Sequence, residues 1–269
     1  MIESLLLSAG YDIAKAGILK FTGLFSKDKI GFKSIEDFKE YDRRIETNSK
    51  AKIKIAKGVT ELINNFFDIS INPILLDCGS VTYYISDELL KDSVGNIVTN
   101  SIGIHSLSAT ITDHPITVNT IPGEVNPLVG AYVGFQTAET AKKQLTNGVG
   151  KLSKSKIAVL GLRAYDPSKG FLENTASLTD FQGALFEFSE KLIVVAQGEK
   201  FLNKAYAPIL ESEKFKEIFK RRVAEKSIWF VYHEPTCKLT DSQRKFYENN
   251  LNDFLSKIPS EYVINVSKK

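Results

Sequence analysis

Pro73-Ile74-Leu75-Leu76-Asp77-Cys78-Gly79-Ser80-Val81-Thr82 passes from a compact apolar run into small polar residues and then into a helical pattern. A short apolar run bounded by turn residues is what a strand buried on both faces requires. The stretch reads as strand, turn and helix start, the unit from which parallel α/β sheets are built. Small polar residues at the carboxyl end of such a strand stand where these sheets bind ligands. The Gly79-Ser80 turn would offer backbone N–H groups and the hydroxyls of Ser80 and Thr82 to one point, which suits a phosphate or carboxylate. Glycine and serine also mark ordinary turns, so Asp77–Thr82 alone leaves both a plain turn and an anion site open.

Outward from this unit the alternation continues. Upstream, Ile53, Ile55, Ala56, Val59, Leu62, Ile63 and Phe66 recur at helical spacing, with Lys50, Lys52, Lys54 and Lys57 at polar positions, so a long helix over 48–67 precedes the first strand. Downstream the pattern predicts a helix over 82–91, a strand over 96–99, a helix over 102–109 and a strand over 116–118. A loop rich in Pro122, Gly123, Pro127, Gly130 and Gly134 leads to a helix over 136–145 and a strand over 157–160. A long polar loop through Pro167 and Gly170 follows, then a helix over 179–188 and a strand over 192–195. The tail adds a helix over 211–223, an aromatic strand over 228–232 with Trp229 in the core, a helix over 240–256 and a strand over 262–266. Thr240 with Gln243 three residues on is a capping box for that last helix.

The expected fold is α/β: a mainly parallel sheet flanked by helices on both faces, with an N-terminal helical extension over 1–43, a body over 44–212, and a C-terminal β-α-β extension over 213–269 that joins or packs on the same unit. Ile2–Phe25 is dense in apolar residues but interrupted by Glu3, Asp12, Lys15 and Lys20, which rules against a spanning helix. An amphipathic helix is expected there, for packing on the body, another copy or a partner, with a membrane-surface role left open by Lys27, Lys29 and Lys33.

With 269 residues and 43% apolar content the chain can bury a core, and a net charge of +3 is far from that of a nucleic-acid binder. Residues 1–60 and 213–269 each carry 12 Lys and Arg against 8 Asp and Glu, whereas the centre carries 11 against 16. Basic ends can be solvated helix faces or contacts to an anionic partner. Any anion site in the acidic centre must rely on oriented amides. Two cysteines, Cys78 and Cys237, and no secretory pattern fit a reducing cytoplasm. His105, His114 and His233 lack metal-ligand spacing, so neither metal nor cofactor is expected.

The turns, taken in order, form a longer pattern: Asn48, Lys52, Ile55, Ala56 and Leu62-Ile63 in the leading helix; Leu76 to Thr82 at the first strand end; Val98-Thr99-Asn100-Ser101 after the second strand; Pro122-Gly123-Glu124; Val133-Gly134; and Val194 to Phe201 through Gln197 and Lys200. This order, over residues 44 to about 205, resembles the ligand-sensing domain of the DeoR family of sugar-responsive bacterial regulators. The resemblance implies a fold related to ribose-5-phosphate isomerase and CoA transferases, and a site for a phosphorylated sugar or related metabolite. It implies that Gly79, Ser80 and Thr82, with Val81 between them, cradle the phosphate, that Asp77 orients hydroxyls, that Thr99, Asn100 and Gly123 line the site, and that Lys200 supplies positive charge. Capping or turn stabilisation is the alternative for Asp77 and Asn100.

Several positions depart from the family pattern. Val81 stands for a threonine, Pro122 for a glycine, Gln197 for an aspartate, and Gln182-Gly183 where a lysine is usual. Residues 1–43 are shorter than a winged helix-turn-helix and show no basic recognition helix, so direct DNA binding is not expected. The expected function is a stand-alone sensor that binds a phosphorylated sugar or nucleotide-like metabolite and signals to a partner protein or as a homo-oligomer. Two alternatives stay open. One is an isomerase-like or acyl-transfer enzyme drawing acids from Asp77, Glu124, Asp166 and Glu173. The other is a scaffold with a vestigial pocket.

Overall fold

The computed structural model describes residues 39–111, 114–150, 152–203 and 205–268. The apolar segment Ile2–Phe25 lies outside the described residues. The elements, in order, are α1 (Lys39–Glu46), α2 (Ser49–Phe66), β1 (Ile74–Leu76), α3 (Ser80–Asp92), β2 (Gly95–Thr99), α4 (Ile102–Ser108) and β3 (Ile116–Thr120). A short hairpin, β4 (Glu124–Asn126) and β5 (Ala131–Val133), leads to α5 (Phe135–Thr146) and β6 (Ile157–Gly161). A second hairpin, β7 (Ala164–Asp166) and β8 (Gly170–Glu173), precedes α6 (Ala176–Phe188) and β9 (Lys191–Gln197). β10 (Ala207–Pro208), α7 (Ser212–Ala224), β11 (Ile228–His233), α8 (Asp241–Leu255) and β12 (Val263–Asn265) complete the chain.

Seven strands form one sheet in the order β12-β11-β9-β6-β1-β2-β3, and every pair in it is parallel. β1 is an interior strand between β6 and β2, with Leu76 paired to Thr99 on one side and to Val159 on the other. Successive side chains of a strand point to opposite faces, and the two cores follow that rule residue by residue. Leu75, Ala158, Leu160, Leu192, Val194 and Phe230 face α6, α7 and α8, where Phe181, Phe186, Phe215, Phe219 and Phe254 pack. Ile74, Leu76, Ile157, Val159, Ile193, Val195 and Trp229 face α2 and α3, meeting Ile55, Val59, Ile63, Ile85 and Leu89. The fold is the α/β architecture expected, with helices on both faces. β11 and β12 join the main sheet beside β9, and the Thr240–Gln243 capping box starts α8.

Two loops read from the sequence are hairpins instead. Pro167 sits in the turn of β7–β8, where Asp166 Oδ1 accepts from the N–H groups of Ser168 (2.8 Å) and Lys169 (3.1 Å). Pro127 and Gly130 sit in the turn of β4–β5, where Asn126 Oδ1 accepts from Leu128 N–H at 3.1 Å. In both, an Asx side chain closes the turn, and the flanking strands are too short to carry an alternation of their own. Lys52 also departs from expectation. It reads as a solvated helix position but is 2% exposed, because its ammonium donates to the carbonyls of Arg44 and Ile45 at the end of α1.

Candidate functional site

The carboxyl ends of β1, β6 and β9 open into a cavity of about 310 Å³, roofed by α1 and walled by the β8–α6 connection. Its floor is the turn between β1 and α3. Asp77 is buried there and ties two strand ends together: Oδ1 accepts from Gly79 N–H (2.8 Å) and the Thr82 hydroxyl (2.9 Å), and Oδ2 accepts from Gly161 N–H (2.8 Å). Burial pushes its pKa up to about 6, against the pull of these donors. Gly79 caps α3 with extended backbone and no side-chain hydrogen bond. The N–H groups of Ser80, Val81 and Thr82 therefore head the helix without intrahelical acceptors, at its positive end.

The walls are cationic. Arg43, Arg44, Lys52, Arg163 and Lys200 line the cavity against Glu40, Asp77 and Glu173. Arg43 is neutralised by Glu40, with hydrogen bonds of 2.8 and 2.9 Å. Glu173 accepts from Asn174 N–H (2.7 Å) and from Gln182 Nε2 (3.3 Å). Arg163 is steered by Asn174, whose amide oxygen, in the orientation that satisfies both groups, accepts from Nη2 at 3.0 Å and Nε at 3.2 Å. Among the described residues no carboxylate stands within ion-pair distance of Arg44, Arg163 or Lys200. Burial first, then the charges of Arg163 and Arg44, holds the Lys200 amine down to about 8. Gln197 is 6% exposed and lines the cavity, and its Nε2 donor has no partner among the described residues. Cys78 is a buried wall residue whose thiol is pushed up by burial and by the charge of Asp77.

Of the residues singled out in the sequence, Asp77, Gly79, Ser80, Val81 and Lys200 meet in this cavity, and Thr82, Thr99, Asn100 and Gly123 do not line it. The Thr82 hydroxyl turns inward, bonded to Asp77 and within 2.7 Å of the Gly79 carbonyl. Thr99 Oγ1 accepts from Ser101 N–H (3.0 Å), and Asn100 Nδ2 donates to the Tyr132 carbonyl (2.9 Å), fastening β2 to β5. Gly123 packs against Thr137 and the Val133 carbonyl, where a side chain would not fit. Of the four candidate acids, Asp77 and Glu173 line the cavity, whereas Glu124 and Asp166 sit in the two hairpins.

Arg163, Arg44 and Asn174 escaped the sequence reading, and Glu173 entered it only as a candidate acid of the enzyme alternative. Arg163 follows the Gly161 strand end by two residues, and the strand-end rule applied to the Asp77–Thr82 turn also covers it. Glu173 and Asn174 reach the cavity through an unrecognised hairpin, and no local signal marks Arg44.

The described residues hold no cluster of His, Cys, Asp and Glu fit for a metal ion, and no helix among them is long and apolar enough to cross a membrane. Comparison with curated protein sequences found no match. Among solved structures the chain is similar to ribose 5 phosphate isomerase A from Neisseria gonorrhoeae, at 15% identity and TM-score 0.35, over 57% of this chain and 54% of that one. The chain thus spans about half the length of that isomerase. It is also similar to the probable sor operon regulator from Shigella flexneri, at 10% identity and TM-score 0.41, over 75% of this chain and 89% of that one. The full-length sorbitol operon regulator SorC from Klebsiella pneumoniae gives 9% identity and TM-score 0.39, over 80% and 82% of the two chains. The order of turns read from the sequence has its counterpart in the DeoR C terminal sensor domain, whose family model matches residues 47–221, and to that family the chain belongs.

Proposed function

We propose that this sensor domain binds a phosphorylated sugar or nucleotide-like metabolite in the cavity above β1, β6 and β9 and passes its ligand state to a partner protein. The observation that carries the reading is the convergence, on one helix N-terminus, of Lys200, Arg163 and the Gln197 Nε2, which has no partner among the described residues. Buried donors without acceptors are costly unless a ligand completes them. Cations that face a cavity rather than carboxylates call for an anion.

In this reading the N–H groups of Ser80 and Val81 and the Ser80 hydroxyl receive the phosphate. Lys200 and Arg163 neutralise it, and Gln197 orients the neighbouring hydroxyls. Asp77, Thr82, Thr99, Asn100 and Gly123 fix the turns behind them. The cavity's size lies at the small end of the range for metabolite sites, which suits a monosaccharide phosphate better than a dinucleotide.

Thermal unfolding of the full chain with hexose and pentose phosphates, nucleoside monophosphates and the matching unphosphorylated compounds tests this. A ligand at about a hundred times its dissociation constant adds about 2.7 kcal/mol, which raises Tm by about 5–10 °C in a chain of this size. Stabilisation by one or more phosphorylated compounds, absent with their free counterparts and lost in Lys200→Met, is expected. No shift with any phosphate overturns the reading.

A further inference from the structure

Helix α1 precedes the family segment, yet it forms the roof of the cavity. Eight residues make a weak helix by themselves, and this one is held at two points. Tyr41 is fully buried, its hydroxyl 3.4 Å from Ser101 Oγ and its ring lodged between Gly103 and Gly130. At both glycines a side chain would collide with that ring. The far end is held by Lys52, which caps the Arg44 and Ile45 carbonyls, and by the Tyr84 hydroxyl, which donates to the Ile45 carbonyl at 3.3 Å. Neither Tyr41 nor Tyr84 touches the cavity.

Docking in this way turns Arg44 inward. Among the described residues it has only a 3.5 Å contact to the Leu128 carbonyl and the Tyr41 ring face, 5.9 Å from the centroid. It stands close enough to Lys52 and Lys200 to help hold both amines down to about 8, burial being the larger cause in each. Like charges therefore oppose the docking of α1 over an empty cavity, and an anion between them reverses that sign.

We propose, resting on the cavity reading above, that α1 is part of the ligand site: Arg44 contacts the bound anion, and anion binding and α1 docking strengthen each other. The ligand then acts as the clasp that closes α1 onto the sensor body, and the coupling is reciprocal, so whatever undocks α1 weakens the ligand by the same factor. The position of the helix ahead of the family segment becomes the readout of the site.

Inorganic phosphate, titrated into the full chain, is the probe. Arg44→Gln and Tyr41→Ala should each weaken phosphate binding about tenfold, although the Tyr41 ring lies outside the cavity. Phosphate should also slow hydrogen exchange at the amides of residues 43–47 in the wild-type chain. The exchange readout and the Arg44→Gln variant decide the matter even if Tyr41→Ala impairs folding. Unchanged phosphate affinity in Arg44→Gln together with unchanged exchange over 43–47 overturns this inference and leaves the cavity reading standing. Failure of the wild-type chain to bind any phosphate overturns both.

Discussion

Asp77 makes the cavity floor by accepting at both ends, from Gly79 and Thr82 on one oxygen and from Gly161 on the other. An amide cannot do this, since its NH2 would face a backbone N–H. Asp77→Asn should therefore cost about 1–3 kcal/mol, the range for a buried donor left without an acceptor, read as a lower Tm with the fold retained. Lys200 sets the pH dependence. Its amine titrates near 8 in the empty site, and a bound anion raises that pKa. Below pH 8 the ammonium is already formed, and affinity for a phosphate monoester is level down to about pH 7, below which the ester itself begins to lose its second charge. Above pH 8 binding must take up a proton, and affinity falls by up to tenfold per pH unit. Lys52 titrates in the same range, so Lys200→Arg, which stays charged throughout, should make the fall shallower without abolishing it. An unchanged profile in that variant would detach Lys200 from the anion.

At the scale of elements, α8 covers the far face of β9 and β11 through Phe254, whose ring lies 4.8 Å from that of Phe230 and 5.0 Å from that of Tyr165. Phe254→Ala should cost about 3–5 kcal/mol, measured by denaturant unfolding. The long elements were legible in the sequence because their periodicity outlasts local noise: α2 through Ile55, Val59 and Ile63, and β1, β6 and β9 through runs apolar on both faces. The β4–β5 and β7–β8 hairpins were not, since three- and four-residue strands beside Pro127 and Pro167 show only their turn chemistry. That blind spot carried over to the site. Lys200 and Gly79 follow strands that the pattern reveals, whereas Asn174 follows a hairpin it hides. The boundary placed after residue 43 falls inside α1, because Tyr41 is tied to Ser101 and Gly130 by packing across the fold and not by anything next to it in sequence.

For the whole molecule, the sheet runs past the end of the matched segment. β11 pairs with β9 from Ile228 opposite Leu192 to His233 opposite Gln197, and Phe230 and Phe254 complete the core beneath it. A fragment of residues 39–221 would expose both that edge and that face, and should show no cooperative unfolding transition by calorimetry. The parallel order places Ser80, Arg163 and Lys200 at one end of the sheet, brought together from strands far apart in sequence. That convergence is the central claim, and amide NMR of the full chain titrated with a sugar phosphate and with the same sugar unphosphorylated tests it most directly. Saturable shifts at the amides of Gly79, Ser80 and Val81 with the phosphate alone, lost in Lys200→Met, are the expected result. Saturable binding of a sugar phosphate that leaves those amides unmoved would contradict it.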